Sequence, residues 1–429
     1  MVSPITRNFV LMTAAFSLNH GCVLAVLNVA VILLGDHGAY QSGSLYVSYA
    51  ATALLISPAL LEILGARKGL IYGAALYSVY VISLPIALVV PSSMPALEIA
   101  VALFGGIVGG IAAGFLWSAQ GAYFALNAKK YAIHAGVSAS EANDKFASIF
   151  ASIFLGLEVA LKLLPAALTP LSHDSLTIWG GKGKSVNLRD LIIASLYSIL
   201  AVGAVFVLQR IEELEEERSE EEDTPQPSSL QQDDKQAALL PAAVTLWSRQ
   251  PVVLLLAPIQ ITFGVSASLL AYQVTGKVLP SAFGTGSLIA GSLLSALVAA
   301  VAASLQLPFK HLTATWGKPP LMVACILAFV ILSAIVLVFP LPPSAEGLLM
   351  TLGYETSAKF TLERFLLLPA QNLGSWPLLL SCYFLQGVGR ACYEGTNKAL
   401  YADFFPDDST AAFSNIVLAN GAHILQTLL

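Results

Sequence analysis

Charged residues are scarce in this chain of 429 residues, and their scarcity limits the kind of protein it can be. Asp, Glu, Lys and Arg together make up 11% of the sequence, whereas 56% is hydrophobic. Because soluble domains carry roughly 25% charged residues, the composition predicts a polytopic membrane protein. The formal net charge of −5 is small for this length and favours no particular class of partner.

Cysteines and catalytic motifs are also few. Cys22, Cys325, Cys382 and Cys392 fall mostly inside apolar runs, which argues against a disulfide framework and against a zinc site. No Asn-x-Ser/Thr sequon occurs, so we do not expect N-glycosylation. The sequence contains no Ser-His-Asp pattern, no zinc-protease motif, no phosphate-binding loop and no basic patch with interleaved aromatics. We therefore expect no enzyme activity, no cofactor, no metal and no nucleic-acid partner.

Long apolar segments are abundant. A membrane-spanning helix needs about 20 mostly apolar residues, and about eleven segments meet that requirement. The first follows the N-terminus without a cleavage pattern, so we expect it to act as a signal anchor. The last ends with the sequence, which suggests that a further span is missing. The predicted spans are 8–34, 43–65, 69–90, 96–124, 146–169, 189–209, 251–273, 284–306, 319–340, 376–398 and 410–429.

The loops predict the orientation and the domain organisation. Lys and Arg are in clear excess on one side, about fourteen against six, which predicts a cytosolic N-terminus. Residues 210–250 form a dense acidic run followed by Pro, Ser and Gln. This composition predicts a disordered or partly helical cytosolic linker, with a regulatory docking segment as the alternative. It separates an N-terminal six-helix half, 1–209, from a C-terminal half, 251–429, with about five visible helices. Plasma membrane and endomembrane both remain open.

The predicted fourth span combines a glycine ladder with large polar groups. Small residues four apart let two helix backbones approach closely in a membrane, so we expect this helix at the centre of a bundle. The packing glycines are Gly105, Gly106, Gly109, Gly110 and Gly114. The tenth span ends with a similar aromatic and amide pattern. The inner-gate or interhelix candidates in the two spans are Trp117, Gln120, Tyr123, Tyr393, Glu394, Asn397 and Tyr401.

Several stretches together resemble a known family. They are 44–77, FLWSAQGAY at 115–123, ANDKFASIF at 142–150 and 385–421. They are similar to the uncoordinated-93-like branch of the major facilitator superfamily, which shows L-W-x-x-x-G-x-Y in span four and N-x-x-F-x-x-x-F at the start of span five. The chain departs from the family at Phe154, where an amide is frequent, and at Arg390, where an acidic residue is usual.

The resemblance implies a fold and two alternative functions. The fold is an all-α polytopic membrane protein of the major facilitator type, with two six-helix halves and, here, the last helix or helices missing. One function is transport of a small solute or ion by alternating access within the lipid bilayer. The alternative is a non-transporting regulatory subunit of an ion channel, or a trafficking escort, whose partner is another membrane protein.

Ionisable groups within spans are costly and usually face the bundle interior. Glu158 and Lys162 in span five are four residues apart, in the order that favours an ion pair. They form either a self-neutralising structural pair or a proton or cation site. Arg390 in span ten, four residues before Glu394, falls in the predicted cytosolic third of the span. It is either part of an inner-gate ion pair or a bidentate contact for an anionic substrate.

Neutral polar residues complete the set of cavity candidates. In span one, Asn19 and His20 are expected to border the central cavity; His20 either packs through hydrogen bonds or carries a proton. Gln260 in span seven and Gln386 in span ten are further candidates. The full set of predicted cavity or coupling residues is Asn19, His20, Glu158, Lys162, Gln260, Gln386 and Arg390.

Overall fold

The computed structural model describes residues 3–168, 175–177, 185–214, 242–339, 375–406, 408 and 411–416. Eight of the described helices are long and apolar enough to cross a membrane, so the chain is an integral membrane protein. The predicted eleventh span, 410–429, lies outside the described residues except for a helical stretch at 411–416. Most of the predicted acidic linker, 215–241, also lies outside them.

In the described residues before the linker, the elements are six helices and one small hairpin. The strands β1 (Ser175–Thr177) and β2 (Ser185–Asn187) pair antiparallel, with Leu176 opposite Val186. The helices are α1 (Pro4–Leu34), α2 (Asp36–Leu55), α3 (Ser57–Val89), α4 (Pro95–Ala135), α5 (Ala139–Ala167) and α6 (Leu188–Leu208).

The elements after the linker include two π-helical segments that interrupt long helices. The first, Leu269–Val278, lies within the apolar span Val252–Phe283, and the second, Tyr393–Asn397, follows the helix that carries Arg390. The α-helices are α7 (Ala242–Arg249), α8 (Val252–Leu255), α9 (Ala257–Ser268), α10 (Leu279–Phe283), α11 (Ser287–Trp316), α12 (Pro319–Val338), α13 (Trp376–Cys392) and α14 (Lys398–Phe404).

The boundary between the predicted second and third spans is more irregular than the sequence suggested. Helix α2 already begins at Asp36, and α3 continues from the end of the predicted span 43–65 into the predicted span 69–90. Within α3, Gly65 has φ 72° and ψ 164° and divides the helix into two parts. Glycine adopts this left-handed φ without the steric cost that a Cβ would bring. Arg67, just after the break, donates to the carbonyls of Gln209 and Ile211.

The glycine ladder of α4 faces both α2 and α3. A Cβ on Gly110 would collide with the carbonyl oxygen of Leu45, and one on Gly109 would lie 2.6 Å from the Cβ of Tyr80. Gly105, Gly106 and Gly114 have equally close neighbours on these two helices. Because these glycines have no side chain, α4 approaches both α2 and α3 closely.

One end of the bundle is defined by the start of α1, and we call it the amino-terminal side. There, Asn8 Nδ2 donates to the Tyr123 hydroxyl at 2.8 Å, and that hydroxyl donates to the carbonyl of Glu212 at 2.8 Å. The Glu212 amide in turn donates to Asn8 Oδ1 at 2.9 Å. This closed network joins α1, α4 and the chain that leaves α6, so Tyr123 is an interhelix residue.

Candidate functional site

A cavity of about 220 Å³ lies inside the bundle. Its walls before the linker come from α1, α2, α3, α4 and α5. After the linker they come from α9, α11, α13, α14, both π-helical segments and the 411–416 stretch. Aromatic and aliphatic side chains form most of this surface. Among the described residues, the charged side chains that line it are Glu158, Lys162, Arg390, Glu394 and Lys398.

The Glu158 carboxylate is the meeting point of two helices that are distant in the sequence. Arg390 Nη1 donates to Glu158 Oε1 at 2.6 Å and Arg390 Nη2 to Glu158 Oε2 at 2.8 Å, so the pair is bidentate. Lys162 Nζ lies 2.5 Å from Glu158 Oε1. Glu158 is fully buried. A buried carboxylate needs such partners because an isolated ionised group in a low-dielectric interior is very costly.

The charges continue along α13 and the second π-helical segment. Arg390 Nη2 lies 3.4 Å from Glu394 Oε1, and Lys398 Nζ lies 3.6 Å from Glu394 Oε2. Positive and negative groups therefore alternate through the row of Lys162, Glu158, Arg390, Glu394 and Lys398, which we call the charge row. Its three cations exceed its two carboxylates by one.

Arg390 does not lie near one end of its helix, as the predicted span 376–398 suggested. Helix α13 continues through the π-helical segment into α14, so Arg390 is equally far along the chain from Trp376 and from Phe404. The added length shifts the middle of the helix onto Arg390. From this position it reaches Glu158 on α5.

Lys398, the last residue of the predicted span 376–398, lines the cavity. Its ammonium lies over the ring of Phe150 at 3.5 Å from the centroid, and at 4.7 Å from that of Trp117 and 5.8 Å from that of Phe154. Cations are attracted to aromatic faces at such distances. Its four-residue spacing from Glu394 favours the same helix face as that residue, but the predicted end of the span at 398 gave no indication that Lys398 lies inside the bundle.

His20 lines the cavity among aromatic rings. It stacks on Tyr77 and on Phe154, both at 5.6 Å between centroids, and meets Trp117 edge-on at 4.8 Å. Phe154 occupies the position at which the resemblance implied an amide. In this chain the site is therefore aromatic where the family pattern is polar.

Amide side chains also line the cavity. Gln120, Gln386 and Asn397 line the cavity. Gln260, which was predicted to line it, does not; its Nε2 donates to Asn397 Oδ1 at 2.9 Å. Both side-chain polar atoms of Gln120, the Oε1 of Gln386 and the Nδ2 of Asn397 are buried without a hydrogen-bond partner in the described part of the chain. Buried polar atoms are normally paired, so these groups are available to a ligand.

Asn19 does not line the cavity, although the sequence analysis expected it there. Its Nδ2 donates to the Ala74 carbonyl, the Ser78 hydroxyl and the Ala201 carbonyl at 3.0–3.2 Å. It thus ties α1 to α3 and α6. Consecutive residues point about 100° apart on an α-helix, so Asn19 and its neighbour His20 face different surroundings.

The remaining predicted site residues divide between the cavity wall and the surrounding packing. Trp117 and Tyr393 line the cavity. Tyr401 lies outside the lining and packs against Phe405 and Phe413, with ring centroids 5.7 and 6.4 Å apart.

Polar contacts join the parts before and after the linker on the amino-terminal side. The hydroxyls of Ser118 and Ser414 are 2.9 Å apart. Lys318 Nζ lies 2.6 Å from Asp403 Oδ2 and 3.2 Å from Asp144 Oδ1, and Asn143 Nδ2 donates to Asp403 Oδ1 at 3.0 Å. These contacts tie the two parts of the chain together on this side.

Solved structures with a similar architecture are membrane transporters. The xylose transporter XylE from E. coli, in a partially occluded inward open conformation, has a TM-score of 0.61 at 14% identity, over 99% of this chain and 91% of that chain. A D-xylose-proton symporter has a TM-score of 0.55 at 14% identity, over 99% and 87%. The nucleoside transporter NupG has a TM-score of 0.52 at 12% identity, over 99% and 90%.

The sequence itself gives a more specific relationship. No match is found among curated protein sequences. The family model described as "Ion channel regulatory protein UNC-93" matches residues 34–424, which is most of the chain. The chain therefore belongs to the UNC-93 family, and it has the all-α, multi-pass fold of the major facilitator superfamily.

Proposed function

We propose that the protein moves a small solute or ion across a membrane by alternating access to the central cavity. The observation that carries this proposal is the charge row, which crosses from α5 before the linker to α13 after it. A cavity with walls from both parts of the chain changes its exposure when the two parts rock. We propose that these parts are the six-helix half 1–209 and the half 251–429.

The cost of the charge row supports a functional role. Replacing a buried ion pair with well-packed apolar residues is frequently neutral or stabilising, so five buried charges are not needed for stability alone. Ionisable groups inside membrane spans commonly mark a substrate or ion pathway. We assign His20, Glu158, Lys162, Gln386 and Arg390 to the solute pathway.

The polar contacts on the amino-terminal side are assigned to the inner gate. With the N-terminus in the cytosol, as the basic loops predict, Lys318, Asp403 and the Ser118–Ser414 contact face the cytosol. Opening the cavity toward that side then requires these contacts to separate. Trp117 and Asn397 belong to the part of the cavity wall next to this gate.

The test is solute flux in proteoliposomes that contain the full chain. A panel of sugars, nucleosides, amino acids, carboxylates and inorganic ions is compared with protein-free liposomes, and we expect protein-dependent flux of at least one of them. Glu158→Gln should lower that flux by at least about tenfold, because Arg390 and Lys162 lose their shared carboxylate. The matched control is Glu62→Gln, since Glu62 is exposed on α3. No protein-dependent flux across the panel would contradict the proposal.

A second candidate function is regulation of another membrane protein, and one surface feature favours it. An apolar groove of about 310 Å³ lies between α9 and α12, and Val265, Phe329 and Val330 are among its lining residues. The family description names ion channel regulation. A channel helix is the partner that this groove would take.

Photo-crosslinking tests this second function. A crosslinker at Val330, in the groove, should capture a discrete membrane protein, whereas one at Leu327 should not. Leu327 is a suitable control because it is exposed on the same helix and does not line the groove. Capture of lipid alone at both positions would count against a docked partner.

A further inference from the structure

We infer that the ligand of the cavity is a small organic monocarboxylate whose body is a single apolar ring. The inference rests on the proposed role of the cavity as a solute site, and it specifies the chemical class of that solute. Four observations lead to it: the charge excess of the row, the state of Lys398, the unpaired amides and the aromatic wall.

The charge row has a cation without a full counter-charge. Glu158 is shared by Arg390 and Lys162, at 2.5–2.8 Å. Glu394 is then left between Arg390 and Lys398, at 3.4 and 3.6 Å. One positive charge remains in excess, in a cavity where uncompensated charge is costly. A ligand with a single negative charge neutralises the row, whereas a cationic ligand would increase the excess.

Lys398 is the cation of the charge row that can bind an added negative charge. Its side chain is only 7% exposed, and its Nζ has no hydrogen-bond partner in the described part of the chain. Aromatic faces attract the ammonium but leave it without an oxygen acceptor within hydrogen-bond distance in the described residues. Arg390, the residue that the sequence analysis considered for an anion, already gives its Nη1 and Nη2 to Glu158. An incoming carboxylate therefore finds free donors on Lys398.

Two amides that line the same cavity as Lys398 can complete the carboxylate site. Asn397 precedes Lys398 in the chain, and its Nδ2 is a buried donor without a partner in the described residues. Gln120 follows Trp117, over which Lys398 lies, by three residues on α4, so the two share a helix face. Both side-chain polar atoms of Gln120 are likewise buried and unpaired. A carboxylate has two oxygens and accepts several such donors at once.

The side chains that line the cavity determine the size and polarity of the rest of the ligand. Trp117, Phe154 and Tyr77 form the aromatic side of the cavity around His20. Apolar ring faces pack well against such surfaces. A cavity of about 220 Å³ has room for one ring with a small substituent.

Ligand-induced stabilisation of the purified full chain tests the charge and the body separately. The probes are benzoate, its neutral amide benzamide, its cationic amine counterpart benzylamine, and chloride as an inorganic anion. A ligand that binds the folded state raises the unfolding temperature. We expect benzoate to raise it and the other three to leave it unchanged. Equal stabilisation by benzamide, benzylamine or chloride would overturn the inference.

Variants locate the binding site. Lys398→Met removes the charge and should weaken benzoate binding by at least about tenfold, whereas Lys398→Arg keeps the charge and should retain binding. Lys310→Met is the matched control, because Lys310 is an exposed lysine on α11. If Lys398→Met does not fold, the inference is still tested by the stabilisation that the four probes give to the wild type and to Lys398→Arg. Unchanged benzoate binding in a folded Lys398→Met protein would overturn the inference.

Flux of the same probes separates this inference from the proposed function. Benzoate that binds but is not moved in proteoliposomes would leave the monocarboxylate site standing and argue against transport. Movement of a sugar, an amine or an amide without benzoate binding would leave transport standing and overturn the monocarboxylate. Protein-dependent benzoate flux that depends on Lys398 would support both.

Discussion

At the scale of single residues, the sharing of one carboxylate by two cations makes Glu158 the most sensitive position in the cavity. Its oxygens contact Arg390 at 2.6 and 2.8 Å and Lys162 at 2.5 Å, and its side chain is fully buried. Removing it leaves two cations without their carboxylate in a low-dielectric interior. Removing the carboxylate therefore costs more free energy of folding than the intact pair contributes, because the desolvation of the two cations is no longer offset.

A double-mutant cycle measures this coupling. Glu158→Gln alone should destabilise the protein by about 3–5 kcal/mol, whereas the further change Arg390→Gln should recover part of that loss. The double variant returns the charge row to its original excess of one positive charge. Thermal and denaturant unfolding in detergent supply the free energies of the cycle. Strictly additive effects of the two changes would show that Glu158 and Arg390 are not coupled.

At the scale of helices, close approach at glycine positions determines how α4 sits between its neighbours. Gly110 lies directly against the backbone of α2 at Leu45 and the hydroxyl of Ser48. The glycines of α5 and α6 that face open space, such as Gly156 and Gly203, have no neighbouring atom within 4 Å of a built Cβ. The same residue type therefore has a packing role in α4 and none at these other sites.

This difference predicts opposite outcomes for the same substitution. Gly110→Ala should destabilise the protein, because the added methyl group collides with backbone that cannot move without separating α2 from α4. Gly156→Ala should be neutral or stabilising by up to about 1 kcal/mol, through helix propensity alone. Unfolding of the two variants side by side provides the measurement. Equal effects would contradict the close packing at Gly110.

At the scale of the whole molecule, contacts on the amino-terminal side hold together the parts before and after the linker. Ser118 on α4 and Ser414 in the 411–416 stretch bring their hydroxyls to 2.9 Å. Nearby, Gly121 packs directly against the ring of Phe413. In alternating access, these surfaces must separate once in each cycle.

Covalent closure of this contact should therefore stop transport. Oxidising the double variant Ser118→Cys with Ser414→Cys is expected to abolish flux, and reduction should restore it. Either single variant serves as the control, and the native Cys22, Cys325, Cys382 and Cys392 are all buried and free. Full flux through the cross-linked protein would rule out separation at this contact as part of the cycle.

Composition and local motifs were sufficient to predict the class of protein, its helical spans and its family. Spans of apolar residues can satisfy backbone hydrogen bonds in a bilayer only as helices or closed barrels, so the low charge and the long apolar segments already implied a helical bundle. The motifs around Trp117 and Asn143 pointed to the family that matches residues 34–424. The pair of Glu158 and Lys162 followed from helical spacing alone.

Only the tertiary structure decided what those residues contact. Glu158 and Arg390 are 232 positions apart in the chain, and no local pattern encodes which cation reaches which carboxylate. The continuation of α13 into α14 moved Arg390 to the middle of its helix and brought Lys398 inside the cavity. Asn19 and His20 are adjacent in sequence, yet the rotation of the helix sends one to the packing of α3 and α6 and the other to the cavity. Periodicity predicts that a helix has faces, whereas the packing of its neighbours decides what each face meets.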